Sequence, residues 1–241
     1  MPQTPAVTSL CAILIPALNE ERSVGEVVER IRQYHCGEVV VIADDCSDRT
    51  AAVAAAAGAT VLPLALRLGA WGAIQTGIRY ALEQGYACVI TMDADGQHSP
   101  SDIRQLLDPI LYGDHDVTIG ACTQRGSLAR KIAWRYLKGI SALRLEDITS
   151  GFRAYNRRAM LLLTQPRATL LDYQDVGVLL LLLEQDLRIK EVEVTMDIRT
   201  NGKSRIFNSW IAVSYYMYHT TVLGISKMVR GKRREMNSSR T

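Results

Sequence analysis

Along the first half of the chain, apolar β-branched runs alternate with stretches of helical character. The runs are Leu10–Ile15, Glu38–Ala43, Thr60–Leu64, Tyr86–Met92 and Asp116–Cys122. Between them lie Ser23–His35, Arg49–Ala57, Ala70–Gln84 and Pro100–Tyr112, which are predicted as helices. Near-continuous hydrophobic strands are expected when helices cover both faces of a sheet. Strand–helix alternation with short connections therefore predicts an α/β fold with a parallel, doubly wound sheet. The second half is less regular. A basic helix is predicted over 127–144, then two helical segments, a strand near Ile189–Met196, and a last helix from about Ser209.

Polar residues gather where the predicted strands end. In open α/β sheets, ligands bind beyond the carboxyl ends of the strands. The first strand runs into Pro16-Ala17-Leu18-Asn19-Glu20 and the second into Asp44-Asp45-Cys46-Ser47-Asp48. The fourth runs into Asp93-Ala94-Asp95-Gly96-Gln97. Any one set could be capping chemistry, and Asp48, just ahead of a helix, reads as an N-cap. Three coincident ends describe one acidic edge. Carboxylates one residue apart at a strand end offer hard oxygen ligands for Mg²⁺ or Mn²⁺, typically shared with a substrate phosphate. The turn after the first strand has no glycine before Gly25, and there is no Gly-x-x-x-x-Gly-Lys-Ser/Thr phosphate loop. Both absences argue against a dinucleotide fold or a P-loop. A diphosphate bound here would have to be held by metal and cationic side chains.

Composition narrows the picture. The 241 residues fit one sizeable domain, with or without a small appendage. A net charge of +3 does not suggest a nucleic-acid partner, and no supporting motif is present. The charge is unevenly placed: Arg125, Arg130, Lys131, Arg135, Lys138 and Arg144 lie in a stretch without acidic residues. Lys131, Arg135 and Lys138 can share one helix face beside an apolar band, which suits a membrane surface. The basic cluster Lys227 to Arg234 and the aromatic segment Trp210–Tyr218 point the same way. Trp210–Val229 is long enough to span a bilayer, but its polar residues mark it as a buried or interfacial helix. The five cysteines are scattered, lack metal-ligand spacing and read as reduced core residues of a cytoplasmic protein without a signal peptide. His98 directly follows the acidic motif and could be near a ligand there; His35, His115 and His219 have no partners at metal-ligand spacing, and the four scattered histidines read as incidental.

The ordered set of motifs resembles inverting family 2 glycosyltransferases of the GT-A fold. The motifs are Pro16-x-x-Asn19-Glu20, Val41-Ile42-Ala43-Asp44 with Ser47-Asp48-x-Thr50, and Asp93-x-Asp95-x-Gln97. Thr149-Ser150-Gly151-Phe152-Arg153 and Arg199-x-x-Gly202-x-Ser204 extend the match. The resemblance is greatest to polyprenol-phosphate glycosyltransferases, the dolichol-phosphate mannose synthases among them. It implies a GT-A domain (a Rossmann-like, mostly parallel sheet flanked by helices) over residues 9–206. A C-terminal amphipathic helical segment would follow over 207–234, then a disordered tail over 235–241.

The resemblance also implies roles. Pro16, Leu18, Asn19, Glu20, Ile42, Asp44, Asp93 and Ala94 would line the nucleotide-sugar site. Asp93, Asp95 and Gln97 would hold the metal. Arg125, Arg199, Lys203 and Ser204 would face donor phosphates, and Arg130, Lys131, Ser150 and Arg153 the acceptor or its phosphate. The family often ends its second strand in two aspartates; here Ala43 stands in place of the first. The implied reaction is metal-dependent, inverting transfer of a sugar from GDP-mannose or a UDP-hexose to a polyprenyl phosphate. It would take place at the inner face of the membrane, with the protein attached peripherally. A phosphate acceptor is already anionic and needs no base. A glycan hydroxyl acceptor would need one, and Asp175, then Asp172, is the candidate; both could equally cap the following helix. A nucleotide-sugar-binding module without catalysis is the reading from another class.

Overall fold

In this computed structural model, the described residues are 10–34, 37–122, 145–171 and 176–197. Seven strands form one sheet in the order β3-β2-β1-β4-β6-β5-β7. They are β1 (Cys11–Ala17), β2 (Val39–Asp44), β3 (Thr60–Leu64), β4 (Cys88–Thr91), β5 (Val117–Ala121), β6 (Arg153–Asn156) and β7 (Ile189–Glu193). The helices are α1 (Val24–Tyr34), α2 (Thr50–Ala56), α3 (Gly69–Glu83), α4 (Ile103–Leu111), α5 (Arg157–Leu163), α6 (Pro166–Thr169) and α7 (Val176–Leu183). A short 3₁₀ turn, Pro100–Asp102, precedes α4.

Alternate residues of each strand feed two separate cores, one per face, as the period of a strand requires. Ala12, Leu14, Val40, Ile42 and Val89 pack under α3, α5 and α7. Cys11, Ile13, Ile15, Val41 and Ile90 pack under α1 and α4. That two-sided burial is why β1 and β2 read as unbroken apolar runs.

The sheet departs from the parallel expectation at one strand. β6 inserts between β4 and β5 and runs antiparallel to both. At four residues, Arg-Ala-Tyr-Asn, it has no apolar run to announce it. The consequence for the site is direct: the entry to β6 lies beside the exit from β4.

Two further features set the edge. The β1–β2 ladder continues to Ala17–Ala43, but the β1–β4 ladder stops at Leu14–Thr91. Its last bond is Met92 N–H to Leu14 O, 3.0 Å. Pro16, the next β1 residue to face β4, has no N–H with which to extend it. The chain is therefore released at Asp93. At the opposite end of the same strands, Cys11 and Cys88 are in register, with Cα atoms 4.7 Å apart and their side chains in contact. The sequence shows these cysteines only as scattered core residues: they are 77 positions apart, and the strand pairing brings them together.

Candidate active site

The loops after β1 and β2 are tied to each other before they meet any ligand. Asn19 has φ +54° and Asp45 φ +53°, left-handed conformations that Asn and Asp tolerate better than most residues. Asn19 Oδ1 accepts the Ser47 N–H at 2.9 Å. The Glu20 N–H donates to Thr50 Oγ1 at 2.8 Å, and the Arg49 N–H to Glu21 Oε2 at 3.0 Å. Asp48 accepts from the Thr50 N–H and hydroxyl and from the Glu21 N–H, so it caps its own helix and holds the start of the neighbouring one. Burial raises its carboxyl pKa, but these hydrogen bonds outweigh that effect and hold it below the usual carboxylate value.

Asp44 lies at the tip of β2 and is buried. Its two oxygens accept the N–H groups of Leu68 at 2.7 Å and Gly69 at 2.9 Å, fixing the turn into α3. Ile42 is wholly buried beneath it in the core. Pro16, Leu18 and Glu20 are half-buried along the β1 exit, and Asn19 is exposed.

The β4 exit is built differently. Ala94 packs down into the core between the two aspartates. Gly96 turns the chain at φ +77°. Asp95 is buried and its Oδ1 accepts the Gln97 N–H at 3.1 Å, an Asx turn. Gln97, also buried, accepts the Asp197 N–H on its carbonyl at 2.8 Å. Asp93 stands out from the rest, with its side chain 50% exposed. Among the described residues no donor hydrogen bonds its carboxylate. His98 Nε2 is 3.7 Å from Oδ2.

The wall behind Asp93 is the entry to β6. A methyl group on Gly151 would sit 2.8 Å from Asp93 Oδ1, so glycine is what lets the carboxylate lie there. Thr91 Oγ1 donates to the Gly151 carbonyl at 2.7 Å and locks the two segments together. Ser150 is buried, and its Oγ accepts the Phe152 N–H at 3.3 Å. Arg153 is turned inward and wholly buried. Its Nε and Nη2 donate to the carbonyls of Ser150 and Ile148 at 2.8 and 2.7 Å. Its Nη1 has no hydrogen-bond partner among the described residues. In this position Arg153 braces the 148–150 turn from within.

The expected metal ligands form an oxygen-only set: Asp93 and Asp95 carboxylates and the Gln97 amide. Among the described residues no group of three or more His, Cys, Asp or Glu side chains is placed to hold a metal ion. A site with two carboxylates still fits Mg²⁺ or Mn²⁺, because such ions commonly take one or two protein carboxylates and complete their shell with water and phosphate oxygens. The open Asp93 carboxylate suits that arrangement. Asp172, Asp175, Arg125, Arg130, Lys131, Arg199, Lys203 and Ser204 lie outside the described residues, as do the predicted basic helix and the 207–234 segment.

The family model described as Glycosyl transferase family 2 matches residues 12–165, which takes in β1 to β6 and all three polar strand ends. The chain belongs to glycosyltransferase family 2. Among its relatives is the polyprenol monophosphomannose synthase of Mycolicibacterium smegmatis, 29% identical over 177 residues, 66% of each chain. Another is the undecaprenyl-phosphate mannosyltransferase of Micrococcus luteus, 32% identical over 156 residues, 59% of this chain and 64% of that one. The chain spans less than two thirds of the length of either. The fold matches crystal structures of glucosyl-3-phosphoglycerate synthase from Mycobacterium tuberculosis, one of them holding Mn²⁺, UDP-glucose and phosphoglyceric acid. That match has a TM-score of 0.70 at 21% identity and covers 93% of this chain and 85% of the other. It establishes the GT-A type of sheet for this family 2 member.

His98 is the residue that sequence reasoning passed over. It is buried against the acidic turn it follows, stacked on Phe152 with ring centroids 4.9 Å apart and planes 14° apart. Its position directly after Gln97 was the available signal.

Proposed function

We propose that this protein transfers a sugar from a nucleoside diphosphate sugar, GDP-mannose or a UDP-hexose, to a polyprenyl phosphate with inversion. The observation that carries the reading is the Asp93 carboxylate. It is left open at the carboxyl edge of the sheet, above a first turn that has no glycine cradle for a diphosphate. The acceptor class is supported by the relatives named for transfer to polyprenyl phosphates.

Asp93, Asp95 and Gln97 would hold Mg²⁺ or Mn²⁺, which when bound supplies positive charge to the leaving diphosphate. The braced β1 and β2 loops, with Pro16, Leu18, Asn19, Glu20 and Asp44, would form the nucleotide side. Arg199 comes two residues after Asp197, whose N–H is bonded to Gln97, so the chain enters the Arg199-to-Ser204 motif from beside the acidic turn. Arg199, Lys203 and Ser204 are assigned to the donor phosphates; an arginine fork suits two phosphate oxygens. Arg125, three residues beyond Cys122 at the end of β5, is assigned there too. Arg130 and Lys131 are assigned to the acceptor phosphate. No described helix is long and apolar enough to cross a membrane. The lipid would be met peripherally, through the basic 127–144 segment and the 207–234 segment.

The test is to incubate the purified protein with Mn²⁺ or Mg²⁺ and a panel of GDP- and UDP-sugars, with and without polyprenyl phosphate. Metal-dependent glycolipid formation with one donor is expected. Turnover on a glycan hydroxyl acceptor with no lipid product would overturn the acceptor assignment. In that case, loss of activity in Asp175→Asn would identify the base.

A further inference from the structure

We infer that His98 is a positioning residue for Asp93, and that metal-loaded diphosphate binding depends on it; the inference rests on the donor-site reading above. The ring meets the same residue at both of its nitrogens. Nδ1 accepts the Asp93 N–H at 3.1 Å. A ring nitrogen that accepts carries no proton, so the neutral imidazole bears its hydrogen on Nε2. That nitrogen faces Asp93 Oδ2 at 3.7 Å.

The ring has little freedom to leave. Its side chain is 1% exposed and lies flat on Phe152, which is itself wholly buried. The His98 backbone is held by an antiparallel bridge to Met196. Gly151, the neighbour of Phe152 in sequence, also lies against the carboxylate. The aspartate therefore has its backbone N–H bonded to a ring held by stacking, and its carboxylate lies near both that ring and a Cα with no side chain. One short segment, Gly151-Phe152, supplies both a wall against the carboxylate and the platform for the ring. Groups that orient a metal-binding side chain act on metal affinity without touching the metal.

His98→Phe keeps a flat ring on Phe152 and removes both nitrogens. His98→Asn keeps an acceptor near the Asp93 N–H and removes the donor that faces the carboxylate. The probe is Mn²⁺ titrated into the full chain with UDP or GDP and followed by the electron paramagnetic resonance signal of free Mn²⁺. Nucleotide binding without metal and the thermal midpoint are measured alongside. His98→Phe should weaken Mn²⁺ in the ternary complex by about 10–100-fold while metal-free nucleotide binding changes by less than about twofold. His98→Asn should fall between it and the wild type. If His98→Phe does not fold, His98→Asn alone must show the metal-specific loss. Wild-type Mn²⁺ affinity in the folded variants overturns the role, as does an equal loss of metal-free nucleotide binding. Wild-type protein that holds no Mn²⁺ with either nucleotide brings down the donor-site reading, and this role with it.

Discussion

Two carboxylates at opposite edges of the sheet are treated in opposite ways. Glu38, just before β2 at the amino edge, accepts three hydroxyls: Thr60 at 2.6 Å and Tyr80 at 2.9 Å on Oε1, and Tyr86 at 2.9 Å on Oε2. Asp93, just after β4 at the carboxyl edge, accepts none from the described residues. Burial pushes the Tyr86 hydroxyl up to about 12, with the Glu38 hydrogen bond and charge adding to it. Burial and Glu38 raise Tyr80 as well. The difference separates a carboxylate that ties elements together from one kept available. A saturated carboxylate has few lone pairs left for a ligand.

Changes at the two edges should therefore affect different properties. Asp93→Asn should lower sugar-transfer turnover by on the order of 10²–10³-fold, the usual cost of removing a group aimed at developing charge. Its thermal midpoint should stay near the wild-type value. Comparable activity in that variant would erase the contrast. Gly151→Ala comes next. Its new methyl group would push on the Asp93 carboxylate, and a displacement near 1 Å should cost about 10²-fold in kcat/KM.

At the amino edge the readout is stability. Glu38→Gln should lower unfolding free energy by about 1–2 kcal/mol in denaturant titrations, as charge-assisted hydrogen bonds become neutral ones. Its turnover at low temperature should match the wild type. The smallest effect belongs to Tyr86→Phe. A tyrosine whose folded pKa lies above its unfolded value keeps its proton longer in the native state. The stability this provides is complete below pH 10 and is lost as pH rises from 10 through about 12. Melting curves across that window should be shallower in pH for Tyr86→Phe. An unchanged slope would mean the Glu38 cluster is not the titrating unit.

The sequence made the two edges unequally legible. The carboxyl edge was readable because β1, β2 and β4 are apolar on both faces and end abruptly in polar residues. Asp48 was readable as a cap because helix-start chemistry is local. Glu38 was not readable as a hub, because its partners Thr60, Tyr80 and Tyr86 belong to three different segments. β6 escaped for a related reason: a four-residue strand paired on both sides needs no hydrophobic pattern of its own. Arg153 reads in sequence as a phosphate contact within a polar motif, and nothing local marks it as buried. His98 was legible as a neighbour of the ligand but was grouped with three histidines judged by metal-ligand spacing, a criterion that finds ligands but not the residues that orient them.

The placement of β6 has a consequence in time as well as in space. Asp93 leaves the ribosome about sixty residues before Gly151 and Phe152. At roughly 5–20 residues per second, that is a delay of about 3–12 s. β1, β2, β3 and β4 are all synthesised before that interval begins and need nothing downstream to pair in register. The newborn chain thus carries its acidic turn before the segment that aims it exists. The proposed donor binding would be acquired only when β6 slots in beside β4.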